Sequence, residues 1–250
     1  MTAVTSTASR GTRVLGALTL AGSALLVWLA LVATPADAVQ GDGVRLLYLH
    51  VPTVSAAYLA FAVTAVGSAL YLWRKSPFWD LVAAAAAEIG VVMTALTLVV
   101  GMLWGRISWG VYWVWDARLT TTALLEVLFL GYLAVRRLGG DPGVRSRRAA
   151  IAGLIAAADL PIVHYSVEWW RTLHQGPTLA RLDPQIDGLM LFTLVLGMAV
   201  FALLSAWLLV HRFRSLACEE RLADRGLDLA LRERWAEGAA AVPVEVAGRG

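Results

Sequence analysis

Residues 109–120 read WGVYWVWDARLT, which puts three tryptophans, a tyrosine, an aspartate and an arginine into twelve positions. Indole faces suit a large planar ligand or a partner surface. They equally suit an aromatic belt, because tryptophan prefers the headgroup level of a bilayer. A belt would be spread over both faces and several helices. Here Trp104, Trp109, Trp113 and Trp115 fall in one stretch of twelve residues. Trp109, Tyr112, Trp113 and Asp116 stand at i, i+3, i+4 and i+7, a spacing that predicts one face of an interfacial helix. Composition alone leaves belt and platform both open.

Imidazoles are the second chemical resource. The chain has four histidines: His50, His164, His174 and His211. A neutral imidazole ligates haem iron, zinc or copper, and a lone histidine at a membrane edge also serves as a hydrogen-bonded structural residue. His50 in YLHVP and His174 in RTLHQG each stand at the mouth of an apolar stretch, on either side of the tryptophan segment in sequence. Trp170 lies four residues before His174, which predicts a shared helical face. His164 sits deeper and reads as structural. Zinc would need a third and fourth ligand. Asp116 and Glu168 offer oxygens, but no HExxH-type spacing is present. An aromatic shelf with two histidines suits a haem better than a bare ion. Arg45, Arg106, Arg118 and Arg171 are near enough in sequence to pair with propionates or with lipid headgroups. The single cysteine, Cys218, rules out a disulfide within the chain, a CxxC redox pair and a CxxCH haem attachment.

These residues must be positioned by elements that live in lipid. The 250 residues are 59% hydrophobic and 16% charged, with a mean hydropathy of +0.68, outside the soluble norm of roughly half apolar and a quarter charged. A spanning helix needs about 20 apolar residues. Six stretches qualify: 14–34, 49–73, 80–103, 119–135, 149–165 and 189–210. The predicted fold class is therefore all-α, a polytopic bundle of six transmembrane helices with interfacial helices in the outer loops. Residues 1–211 form the membrane domain with the aromatic platform at 104–120. Residues 212–250 form a charged tail, helical in spacing, with its last dozen residues expected to be disordered.

Of the 21 lysines and arginines, 16 fall in the N-terminus, the 74–79 and 136–148 connections and the tail, and five (Arg45, Arg106, Arg118, Arg171, Arg181) in the remaining loops. The positive-inside rule then places both termini in the cytoplasm and the aromatic segment outside. Ala36-Asp37-Ala38 resembles a signal-peptidase site, but the preceding apolar run is long for a signal peptide, so the first span is expected to be retained. Glu88 and Asp159 stand out as charges inside spans, where carboxylates are costly and serve either helix–helix hydrogen bonding or a proton path. Asp159 precedes Pro161, which predicts a kink.

WGVYWVWDARLT resembles the tryptophan-rich WWD signature of the haem-handling proteins of cytochrome c biogenesis, and WDARLT resembles its CcmC branch, where related branches carry a proline after the aspartate. LLYLHVP at 46–52 and PIVHYSVEWWRTLHQGPT at 161–178 are similar to the same family, one on each side of the WWD segment. Three motifs in order over residues 45–190 make this a specific match. The resemblance implies that His50 and His174 are the axial ligands of haem iron, and that His164 is not. It implies a transiently and non-covalently bound haem b, delivered to the chaperone CcmE beside CcmD and the ABC subunits CcmA and CcmB. This chain has no GxxxxGK[ST], so it is not the ATPase. Arg171 stands where the family has a small polar residue.

The combined expectation is a haem platform on the outer face of a bacterial inner-membrane protein. His50 and His174 hold the iron. Trp109, Trp113, Trp115, Asp116, Arg118 and Trp170 line the platform, which serves delivery and is not an enzyme. An electron-transfer b-type cytochrome would want histidine pairs inside facing spans. A permease would want broken helices and an internal repeat.

Overall fold

The structure, a computed structural model, describes residues 8–174, 176, 186 and 188–240. Seven α-helices carry the described chain: α1 Arg10–Trp28, α2 Leu47–Arg74, α3 Pro77–Trp109, α4 Ala117–Arg137, α5 Pro142–Ala157, α6 Asp159–Trp169 and α7 Gly188–Ala240. They make six stretches long and apolar enough to cross a membrane, with α5 and α6 sharing the fifth. No strand forms among the described residues; a single bridge links Asp37 and Gly41. Each expected span coincides with one of these stretches, the first overrunning it by one residue at Thr34, and the all-α polytopic bundle is the observed architecture.

Local chemistry sets the helix ends. Ser9, Asp116 and Asp141 cap α1, α4 and α5 through side-chain oxygens that accept backbone N–H groups. Pro77 and Pro142 stand in first turns, where no N–H is needed. α3 stops at Gly110, whose φ of 77° is left-handed and favours glycine. The fifth span breaks at Ala158. Pro161 has no N–H for the Ala157 carbonyl, and α5 ends at Ala157. The expected kink is thus a two-helix junction.

α2 is the central helix and packs on α3, α5 and α7. The largest buried cluster joins Phe61, Leu125, Phe129, Tyr132 and Val163. Phe61 and Phe129 stack at 3.6 Å, and any Cβ on Gly90 would overlap the Phe61 ring. Outward-facing Leu20, Val32, Val66, Val92 and Val127 are exposed and apolar, as lipid-facing surfaces must be.

One end of the bundle is arginine-rich. There Asp80, 3% exposed, receives both Arg136 nitrogens (2.5 and 3.0 Å) and the Ser146 hydroxyl (2.9 Å). Arg212 pairs with Glu88 at 2.5 Å, so Glu88 ties α3 to α7, in line with a helix–helix role. Arg214 donates to Ser9, which places the start of α1 and the exit of α7 at the same end. Asp159 keeps one buried oxygen without a partner. So does Glu126 on α4, a third intramembrane carboxylate beyond the two expected.

The first part of the tail continues the last span as one helix. α7 runs unbroken through Ala240, 53 residues or about 80 Å at 1.5 Å per residue. The Arg181 segment and the expected disorder after Ala240 lie outside the described residues.

Candidate haem platform at the aromatic end

The His50 and His174 motifs both reach the end opposite the arginines. His50 lies in the first turns of α2, two residues before Pro52. Pro52 cannot bond the Tyr48 carbonyl, and the loosened turn is packed by Gly197 of α7, where a Cβ would meet Pro52 at 2.8 Å. Thr53 donates to the His50 carbonyl (2.8 Å) and touches Thr97 of α3 at 3.0 Å. These contacts pin the His50 turn to α3. The imidazole lies over Gly101, where a Cβ would stand 2.9 Å from Cε1. Its ring meets Trp104 edge-on at 5.6 Å, and Trp104 donates its indole N–H to Gln40 (2.7 Å). His50 Nδ1 is buried and makes no hydrogen bond.

The tryptophan segment is not a helix. α3 ends at Trp109, Gly110 turns the chain, and 111–116 is irregular before α4 begins. The predicted face through Trp109, Tyr112, Trp113 and Asp116 therefore does not form. Glycine has redirected a run with helical spacing. Trp109 instead folds over Gly105, one turn after Gly101, where a Cβ would lie 3.2 Å from its ring. Trp113 is half-buried, its indole N–H without a partner, and it meets Trp115 edge-on at 5.4 Å. Trp115 is 81% exposed.

His174 follows α6 in an irregular stretch, so the helical turn predicted for Trp170 and His174 is absent. The β/extended Trp170 ends α6. Its exposed ring packs on Trp169. His174 is placed by other means. Its ring meets Trp109 at 4.8 Å, its backbone N–H donates to Thr172 (3.0 Å), and Nδ1 stands 3.1 Å from Asp116 Oδ2. The same oxygen accepts the Leu173 N–H (3.2 Å), while Asp116 Oδ1 caps α4 through Leu119 N (2.8 Å). Asp116 therefore joins the tryptophan segment to the His174 segment.

Burial lowers the His174 pKa below the usual imidazole value, against the raising effect of the Asp116 carboxylate. The pair is then a neutral imidazole donating to a carboxylate rather than an ion pair at pH 7. His50 and His174 lie within electrostatic range of each other, and Arg118 within range of both.

The arginines are mostly engaged. Arg118 donates to Ser166 Oγ (3.1 Å) and the His164 carbonyl (2.9 Å), bracing α4 on α6. Arg45 reaches the Ala30 carbonyl (2.6 Å) and Asp42. Arg106 closes on the Gly110 carbonyl and lies over Tyr112. Arg171 is exposed. His164 is exposed beside Tyr58 and Tyr165, and His211 packs on Trp207 within α7. Among the described residues no three His, Cys, Asp or Glu side chains gather as a metal cage.

Gln40, Gly101 and Gly105 support the site without being singled out in the sequence. The GMLWG spacing, two glycines one turn apart, is the one signal of them that the sequence carries.

The fold and this site define a polytopic all-α membrane protein with an aromatic, two-histidine cradle at one end. The chain belongs to the CcmC family, heme exporter protein C, whose model matches residues 2–227. It is 43% identical over 182 residues to heme exporter protein C of Escherichia coli strain K12, covering 73% of this chain and 74% of the relative. The Haemophilus influenzae protein of the same name is 39% identical over 193 residues, 76% and 77% of the two chains. A putative cytochrome c biosynthesis ccmC-like mitochondrial protein of Arabidopsis thaliana is 35% identical over 194 residues, 78% and 73%.

Proposed function

We propose that this protein handles haem for cytochrome c maturation, holding it between His50 and His174 at the aromatic end and passing it to a CcmE-type chaperone. The observation that supports the reading is that two separately supported imidazoles lie within electrostatic range of each other. One is seated on Gly101 with a buried, unpaired Nδ1. The other is neutral and oriented by Asp116. Both border the tryptophan segment, where Trp109 touches His174 and Trp113 keeps an unpaired N–H. These residues fit a haem: two nitrogen donors, flat aromatic walls and few charges. Haem is cargo here, and its iron needs only the two neutral imidazoles this chain presents.

Arg118 stands within range of both histidines, where a cation favours bound propionates. Trp115 and Trp170, both exposed, offer the surface on which a receiving protein would dock. Delivery rather than storage suits an edge site, since dissociation is where most affinity differences appear. Assembly with CcmD and with CcmA–CcmB ABC subunits supplies the ATPase this chain lacks. The arginine-rich end faces the cytoplasm and the platform faces outward from a bacterial inner membrane, as the positive-inside rule requires. The chain contributes binding and orientation, and the bond made on the chaperone uses the groups of haem and chaperone.

The test is the absorbance spectrum, oxidised and reduced, of detergent-purified protein. A low-spin bis-histidine spectrum should be lost or converted in His50→Ala and His174→Ala and kept in His164→Ala. Loss only in His164→Ala would overturn the ligand assignment.

A further inference from the structure

The two imidazoles have unequal support. His174 Nδ1 faces the Asp116 carboxylate at 3.1 Å, and that carboxylate is itself held by Leu173 N and Leu119 N. Its side chain is only 9% exposed. His50 Nδ1 is also buried but makes no hydrogen bond. The Thr97 backbone faces the ring as a neutral acceptor. The ring is held mainly by contact with Gly101 and Trp104. A carboxylate that accepts Nδ1–H fixes the tautomer with Nε2 bare, orients the ring and raises the basicity of Nε2 as a ligand. A neutral carbonyl gives far less of each.

We infer that Asp116 is the positioning residue that makes His174 the stronger, retained ligand of the pair and leaves His50 as the ligand that an incoming group displaces. This rests on the proposed His50–His174 site. The inequality has a use in handover. A receiving ligand approaches the iron from the His50 side while His174 still holds it.

Carbon monoxide on the dithionite-reduced, haem-loaded protein is the probe, because the Fe–C stretch in resonance Raman reports the ligand opposite. Wild type should give the His50→Ala pattern, with His174 kept, and not the His174→Ala pattern. In Asp116→Asn the α4 cap survives, since asparagine caps as well as aspartate, but the charge is gone. Haem retention should fall about 10- to 100-fold, the usual cost of a lost partner behind a metal ligand. The carbon monoxide complex should shift toward a mixture of the two patterns, and Asp116→Glu should restore the wild-type one.

A wild-type complex that matches His174→Ala would overturn the inference. So would an Asp116→Asn protein with wild-type retention and stretch. If Asp116→Asn does not fold, the wild-type comparison still decides which histidine stays. Unchanged spectra in both histidine variants would instead defeat the site assignment, a result distinct from equal ligands.

Discussion

At the scale of single residues, the platform depends on atoms that are missing as much as on those present. Gly101 leaves the space that the His50 ring fills, and Gly105 does the same for Trp109. Gly101→Ala should therefore displace the imidazole by a few tenths of an ångström while the bundle remains folded. The expected outcome is weaker haem retention, of the order of tenfold, with unchanged helical circular dichroism. Normal retention would place His50 elsewhere in the bound state. Trp104→Phe keeps an aromatic ring, though a smaller one, and removes the N–H that Gln40 accepts. A milder loss, on the scale of one hydrogen bond, about 1 kcal/mol, should appear in haem titration.

Between elements, two arginine braces have different consequences. Asp80 is buried and Arg136 partly buried, with side chains 4% and 14% exposed, and the pair locks α3 against α4, with Ser146 of α5 joining them. Asp80→Ala leaves a buried guanidinium unpaired and should cost about 3–5 kcal/mol. The double change Asp80→Leu with Arg136→Leu should recover most of it. Thermal unfolding in detergent separates the two, and equal losses would show that the pair matters beyond burial. Arg118 braces α4 on α6 next to the site. Ser166→Ala should alter haem retention more than melting temperature, because that brace holds the helix on which the Asp116 cap stands.

For the molecule as a whole, the testable statement is its direction in the membrane. Cys218 is the one cysteine, on α7 beyond the arginine-rich end. Val39, 93% exposed, lies in the loop that carries Gln40 to Trp104. A membrane-impermeant maleimide on intact cells should label Val39→Cys in a Cys218→Ser background and leave Cys218 of the parent protein unlabelled. The reverse result would invert the platform. The far part of α7 stands apart from this site, with Leu222, Leu227 and Trp235 exposed. Removing residues 222–250 should therefore leave the haem spectrum unchanged.

Patterns that repeat along one helix are legible in the order of amino acids alone. Six apolar runs determine six spans because lipid tolerates no unpaired backbone. The arginine distribution determines a polar asymmetry that the bundle keeps: Ser9 and Arg214 meet at one end, and the histidine motifs gather at the other. Motif order points to His50, His174 and the tryptophan segment as one site. Only the tertiary structure decides how that site is held. Helical spacing through Trp109–Asp116 and from Trp170 to His174 is a false guide. Gly110 turns one run and the extended Trp170 ends the other. Asp116 and His174 are 58 residues apart, and so are unrelated in any local pattern, yet share a hydrogen bond. Glu88 and Arg212 meet across 124 residues. Contacts of that kind arise where helices pack, and periodicity within one helix carries no information about them.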